Sequence, residues 1–252
     1  MSALLTSPVE FIAAQLANAP DLRSRLHLIR NEIAGRIVFT TSFGLEDQVL
    51  AHAIFSCGYD IEVATLDTGR LFPETYDVWV ETEERYGRRI VAYGPETDAV
   101  EHLVASQGIN GFRSSIEARH ACCGTRKVAP LQRELKGAAA WITGLRAEQS
   151  RDRSGVVLAE FDEGQALIKC NPLADWTRGE VERFVADNRI PYNVLHDRGF
   201  LSIGCAPCTR AVRVGEPERA GRWWWEADAK KECGLHVRAV DQAASRLGVE
   251  VA

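Results

Sequence analysis

Between residues 36 and 107 one pattern recurs: a short run of β-branched and apolar residues, a polar turn, then an apolar stretch at helical spacing. Its first copy is Arg36–Thr41, the turn Ser42-Phe43-Gly44-Leu45-Glu46-Asp47 and the helical stretch Gln48–Phe55. The next is Ile61–Leu66, the turn Asp67-Thr68-Gly69-Arg70 and a helix beginning near Pro73, where proline suits a first turn. Arg89–Tyr93 followed by Asp98–Gln107 repeats it again. Strand and helix in alternation build a parallel sheet, because each helix returns the chain so that the next strand runs the same way. The pattern predicts an α/β fold, a mostly parallel sheet with helices on both faces. Two helical segments, 8–18 and 21–32, precede it. Ala139–Thr143 extends the sheet, Val156–Glu160 and Ala166–Cys170 read as a hairpin, and Thr177–Asn188 is a last helix before an irregular region rich in Gly, Pro, Cys and Arg. At 252 residues the chain can bury a full core as one large domain or as a domain with an appendage.

In an open parallel sheet, ligands bind where the carboxyl ends of the strands feed their loops. Three such loops carry polar residues: 42–47, 67–70 and 144–150. The first can offer backbone N–H groups and a helix amino terminus to an anion. It lacks the G-x-x-x-x-G-K-[ST] pattern of a Walker loop, and a serine-glycine turn entering a helix also serves as plain capping. Glu46 and Asp47 put negative charge where a triphosphate would meet it, which counts against an ATPase. Asp67 has two readings of equal weight: an acceptor for ribose or adenine, or a cap on the turn that follows it.

Cysteine placement narrows the chemistry. Cys122 and Cys123 are vicinal, Cys205-Ala206-Pro207-Cys208 is a C-x-x-C turn, and Cys233 stands alone in Glu232-Cys233-Gly234-Leu235-His236. Adjacent cysteines close a mutual disulfide only with strain, but they can share one metal centre. With the C-x-x-C pair they supply four sulfurs, the complement of an iron–sulfur cluster or a structural zinc. A net charge of −5 gives no basic field for long nucleic acid, so the expected ligand is small. With no apolar run of membrane-spanning length and no basic leader, the sequence points to neither membrane nor secretion. A cytosolic location follows as the expectation, and there such cysteines argue for metal or redox chemistry rather than a disulfide framework.

The motifs Thr41-Ser42-Phe43-Gly44-Leu45-Glu46-Asp47, Leu66-Asp67-Thr68-Gly69-Arg70-Leu71, Cys122-Cys123-Gly124-Thr125-Arg126-Lys127, Gly144-Leu145-Arg146, Cys205-x-x-Cys208 and Cys233-Gly234-Leu235-His236 occur in this order. Together they resemble the assimilatory adenylylsulfate reductases, whose family also holds the 3′-phosphoadenylylsulfate reductases. The resemblance implies a fold like that of the adenine-nucleotide α-hydrolases (PP-loop-like), with Ser42 to Asp47 as nucleotide loop. It implies a [4Fe–4S] cluster on Cys122, Cys123, Cys205 and Cys208, and a preference for adenylylsulfate over its 3′-phosphorylated form. Cys233 is implied as nucleophile, its thiolate favoured by Lys230, Lys231 and His236. Contacts to the nucleotide are expected from Ser42, Gly44, Asp67, Arg70, Lys127, Arg146, Arg219, Arg222 and His236. Thioredoxin or glutaredoxin is the implied electron donor, and homo-oligomers are common in the family.

Residues 1–214 are accordingly expected as a nucleotide- and cluster-binding domain, and 215–252 as a mobile segment that acts as a lid and delivers Cys233. Zinc is the competing reading of the four cysteines. An ATP-dependent thiolation enzyme would want a glycine-richer Ser-Gly-Gly-x-Asp-Ser loop, and an iron–sulfur sensor of DNA would want a basic surface. Cys57 and Cys170 read as small buried side chains. Trp223-Trp224-Trp225 reads as packing rather than as an adenine stack, since successive helical residues point in different directions.

Overall fold

The computed structural model describes residues 7–226. Its sheet has six strands: β1 (Ile37–Thr41), β2 (Glu62–Leu66), β3 (Val91–Tyr93), β4 (Ala140–Ile142), β5 (Ala159–Asp162) and β6 (Leu167–Cys170), in the order β3-β2-β1-β4-β6-β5. All neighbours pair parallel except β5 and β6, which form an antiparallel hairpin at the edge. The strand–turn–helix pattern of residues 36–107 thus supplies β1, β2 and β3, which β4 and β6 continue in parallel. Its third strand is the weakest, three residues beginning at Val91 rather than Arg89. Val91 and Ala92 are exposed there, so little apolar burial extends the strand.

Alternate residues of the central strands serve two cores. Ile37 and Phe39 of β1, Val63 of β2, and Ala140 and Ile142 of β4 face a large cluster. Helices α1 (Pro8–Asn18), α2 (Leu22–Glu32), α3 (Leu45–Cys57), α4 (Pro73–Tyr86) and α8 (Arg178–Asp187) contribute to it. Val38, Ala64 and Trp141 face the other side, where Leu131 and Leu135 of α7 (Ala129–Leu135) cover them. Burial on both faces is why β1 reads as an unbroken apolar run instead of an alternating one. Helix starts follow capping chemistry: Ser7 with Glu10 and Thr177 with Glu180 form reciprocal capping boxes.

Two helices join their neighbours in ways the sequence pattern did not suggest. α5 (Thr97–Gln107) leads to α6 (Ile116–Cys123), which runs through a π-helical turn, Gly124–Val128, straight into α7. The vicinal cysteines therefore sit at the end of a helix and immediately before its one widened turn. Among the described residues no helix is long and apolar enough to cross a membrane.

Candidate active site

β1 and β4 are neighbours whose connections leave in opposite directions, the point at which an open α/β sheet forms a crevice. A cavity of about 170 Å³ opens there, at the carboxyl ends of β1, β2 and β4. Thr40, Thr41, Thr65 and Leu66 come from strand ends, Ser42 and Gly44 from the loop after β1, Glu46 and Asp47 from the first turn of α3, and Gly144, Gln149 and Arg153 from the loop after β4. Lys127, Ser202, Ile203, Gly204, Arg219 and Arg222 close the remaining wall.

The loop after β1 is partly closed to an anion. Asp47 stands at the third position of α3 and reaches back, accepting from Ser42 N–H at 2.6 Å and Ser42 Oγ at 2.7 Å. The carboxylate takes both Ser42 donors, while Gly44 at the N-cap has no side-chain cap. Burial pushes the Asp47 carboxyl up to about 6, against the pull of the two Ser42 hydrogen bonds; Glu46 adds to the rise and Arg153 offsets it. Phe43 between them holds φ at 60°, a strained conformation for a bulky residue, and its buried ring stacks on Trp79 at 5.4 Å.

Charge across the cavity is divided. Arg146, expected as a nucleotide contact, is wholly buried away from the cavity, and its guanidinium is spent on carboxylates. Nε donates to Glu46 at 2.8 Å, Nη1 to Glu148 at 3.1 Å and Nη2 to Glu218 at 3.1 Å. Arg178 adds a second cation 3.5 Å from Glu218. Burial and the neighbouring Glu46 nevertheless raise the Glu218 carboxyl above its ordinary value. The opposite wall carries Lys127, Arg219 and Arg222. Arg222 is 6% exposed and has no carboxylate partner among the described residues; Nη1 reaches only Ser202 Oγ at 3.4 Å and Ile203 O at 3.3 Å. A buried cation without a counter-charge is costly, so this wall suits an incoming anion.

Lys127 also borders a second, smaller cavity, lined by Cys122, Cys123, Cys205, Cys208, Arg70, Phe112, Arg119, Arg126 and Pro207. Two cysteine pairs more than eighty residues apart are thus brought together by the α6 terminus and the C-x-x-C turn. Cys205 Sγ lies 3.3 Å from Thr68 Oγ1. Burial would raise the Cys205 thiol, but Lys127, the Thr68 hydroxyl, Arg222 and Arg126 outweigh it and hold the pKa below its ordinary value. Burial prevails at Cys122, whose pKa rises, and at Cys208, pushed up to about 11. Among the described residues no three His, Cys, Asp or Glu side chains gather to hold a single metal ion.

Other expected site residues fall as follows. Ser42, Gly44, Lys127, Arg219 and Arg222 line the larger cavity. Arg70 lines the cysteine cavity instead, because its guanidinium is held by the Ile109 carbonyl, by Asn110 Oδ1 at 2.9 Å and over the Phe112 ring. Asp67 borders neither; its Oδ1 accepts from Gly69 N–H and from Tyr76 Oη, both at 2.8 Å, the turn-capping alternative. Cys233 and His236 lie outside the described residues. Residues 215–226, assigned from sequence to the carboxyl-terminal segment, pack on the rest through Glu218, Trp223 and a 2.5 Å pair between Arg119 and Glu226. Cys170 is buried as expected, whereas Cys57 is exposed at the end of α3. Gln149 lies in the 144–150 loop read from sequence without a role of its own, and Arg153 lies just beyond it, signalled by the continuing polar run Arg151-Asp152-Arg153.

Residues 36–211 match the model of the phosphoadenosine phosphosulfate reductase domain. The chain belongs to that family. The similarity extends to proteins named adenosine 5′-phosphosulfate reductase. The one from Agrobacterium fabrum is 54% identical over 222 residues, spanning 88% of this chain and 85% of that protein. The one from Rhizobium meliloti is 58% identical over 217 residues, 86% of this chain and 82% of that protein. A crystal structure of phosphoadenylyl-sulfate reductase from Candida auris, in complex with phosphate, superposes with a TM-score of 0.69 at 25% identity, covering 84% of this chain and all of that one. Yeast FAD synthetase shares the fold alone, with a TM-score of 0.53 at 15% identity over 84% of this chain and 70% of that one.

Proposed function

We propose that this chain reduces adenylylsulfate to sulfite and AMP in assimilatory sulfate reduction, with two electrons from a dithiol protein such as thioredoxin or glutaredoxin. The observation that carries the reading is the cationic wall of the larger cavity. Arg222, with no carboxylate partner among the described residues, stands there with Arg219 and with Lys127, which also borders the cysteine cavity, opposite a loop in which Asp47 takes the Ser42 donors. Nucleoside toward the strand ends and phosphosulfate toward Lys127, Arg219 and Arg222 is the orientation that this division of charge favours. Neighbours named adenosine 5′-phosphosulfate reductase support the choice of substrate.

Cys233 is the nucleophile in this reading. Its thiolate attacks the sulfuryl sulfur; an S–S bond forms, the S–O bond to AMP breaks, and AMP leaves with that electron pair. A thiolate of the carrier then attacks Cys233 Sγ, and sulfite departs with the electrons of the broken S–S bond. The carrier's second thiol resolves the mixed disulfide, so the carrier is oxidised to its disulfide and Cys233 returns as thiolate.

Cys122, Cys123, Cys205 and Cys208 are the residues that would hold a [4Fe–4S] cluster. The donor set fits, being four thiols with Arg126, Lys127 and Arg222 near enough to favour the thiolate at Cys205. When bound, the cluster supplies a fixed charge and a brace beside Lys127. Anaerobic purification, iron analysis and paired assays with adenylylsulfate and its 3′-phosphorylated form test the reading. Cys233→Ser is expected to abolish sulfite formation while the brown chromophore persists; sulfite release by that variant would refute the mechanism. A kcat/KM ratio favouring the 3′-phosphorylated nucleotide would instead assign the activity named for the Candida auris neighbour.

A further inference from the structure

We propose that Trp223 is the positioning residue for Arg222, holding its guanidinium toward the phosphate of the bound nucleotide from a site that does not itself touch the nucleotide. The proposal rests on the adenine-nucleotide reading above. Trp223 is 1% exposed and is absent from the lining of the larger cavity, whereas the neighbouring Arg222 lines it. Arg222 Cζ lies 4.7 Å from the centroid of the Trp223 ring. Its two hydrogen bonds, to Ser202 and Ile203, are at the long end of the range and both start from Nη1, and its Nε has no partner among the described residues. With hydrogen bonds this weak, stacking on the indole is a principal constraint on the plane of this cation, and Trp is the favoured ring for such a contact.

The indole is fixed from several directions. Trp223 has φ at 44°, so the backbone reverses there, and its N–H donates to Cys208 O at 3.2 Å. Arg222 bridges antiparallel to Thr209, and Arg210 N–H donates to Gly221 O at 3.0 Å. A side chain at Gly221 would collide with the Arg210 carbonyl, and one at Gly204 would occupy the space of the Arg222 guanidinium. Arg119 Cζ stacks over the same ring at 4.6 Å and is tied to Glu226 at 2.5 Å. The ring lies against Cys208 and Phe112. Its own Nε1 has no hydrogen-bond partner among the described residues.

The test uses anaerobically purified protein and calorimetric titration with AMP and with adenosine, which lacks the phosphate. Trp223→Leu is expected to weaken AMP about tenfold, the size of a desolvated cation–π contact, and adenosine by less than about twofold. In an Arg222→Ala background, Trp223→Leu should cost AMP affinity less than a further twofold, because its effect passes through Arg222. Trp223→Phe, which keeps an aromatic face, should recover most of the loss and covers the case in which the leucine variant fails to fold. Equal losses for AMP and adenosine, or losses that multiply in the double variant, would overturn the positioning role. Failure of the wild-type protein to bind either compound would overturn the nucleotide reading and this proposal with it.

Discussion

Asp47 shows how one side chain can decide what a loop is for. From sequence, the serine-glycine turn before α3 reads as plain capping more readily than as a nest for an anion; in the structure the Asp47 carboxylate takes the N–H and hydroxyl of Ser42, and Gly44 at the N-cap has no side-chain cap. That carboxyl is raised from 3.8 to about 6 in the folded protein, chiefly by burial. A raised carboxyl favours the folded state in its protonated form, so its contribution is full below about pH 4 and is lost as pH climbs through 6. At ~1.4 kcal/mol per pKa unit, about 2 kcal/mol of stability should disappear between pH 4.5 and 7 on this account. Denaturant unfolding of Asp47→Asn at the two pH values should show that much less pH dependence than wild type. Parallel pH profiles would assign the titration elsewhere.

The helix of residues 116–135 illustrates what an element adds to its residues. Its π-helical turn places one extra residue in the ring of hydrogen bonds directly after Cys122 and Cys123. Because an α-helix advances about 100° per residue, that insertion rotates α7 relative to α6 and sets where Lys127 and Leu131 point. Deleting Thr125 should restore a regular helix, swing Lys127 away from the cationic wall of the larger cavity, and weaken AMP at least about tenfold, as loss of a charge-assisted contact does. Circular dichroism would confirm that the helix persists, and undiminished AMP binding would show that the turn is not what aims Lys127. The short pairing of Cys208–Arg210 with Gly221–Trp223 is the second such element. Gly221→Ala forces a Cβ onto the Arg210 carbonyl and is expected to destabilise the protein by about 1–3 kcal/mol, measured by chemical unfolding.

For the molecule as a whole, Arg146, paired with Glu148 in its own loop after β4, ties that loop to two stretches remote in sequence: Glu46 in the first turn of α3 and Glu218 in the carboxyl-terminal part. Arg146→Met should cost about 3–5 kcal/mol in unfolding free energy, because Glu46 and Glu218 would be left buried without their guanidinium. A loss below 1 kcal/mol would mean that water replaces it. The strands β1, β2 and β4 and the helices around them were legible because apolar periodicity is a local property: each segment's burial is written in its own residues. The four cysteines and the loops at the strand ends were legible for a similar reason, since residue type and adjacency already limit the chemistry. Arg70 and Arg146 were not. Each carries the right group in a motif loop, yet the Ile109 carbonyl and the carboxylates of Glu46 and Glu218 that claim them lie far off in sequence, and no local pattern says which partner a long polar side chain will meet. The pairing of the C-x-x-C turn with residues 221–223, and with it the facing of Arg222 by Trp223, is likewise a product of tertiary packing, because backbone reversal and ring stacking depend on where the chain has already been placed. Alternation and residue chemistry specify an α/β fold with two cysteine pairs beside the loops at its strand ends. Which cations remain available to an anion is decided only when the folded chain has distributed its carboxylates.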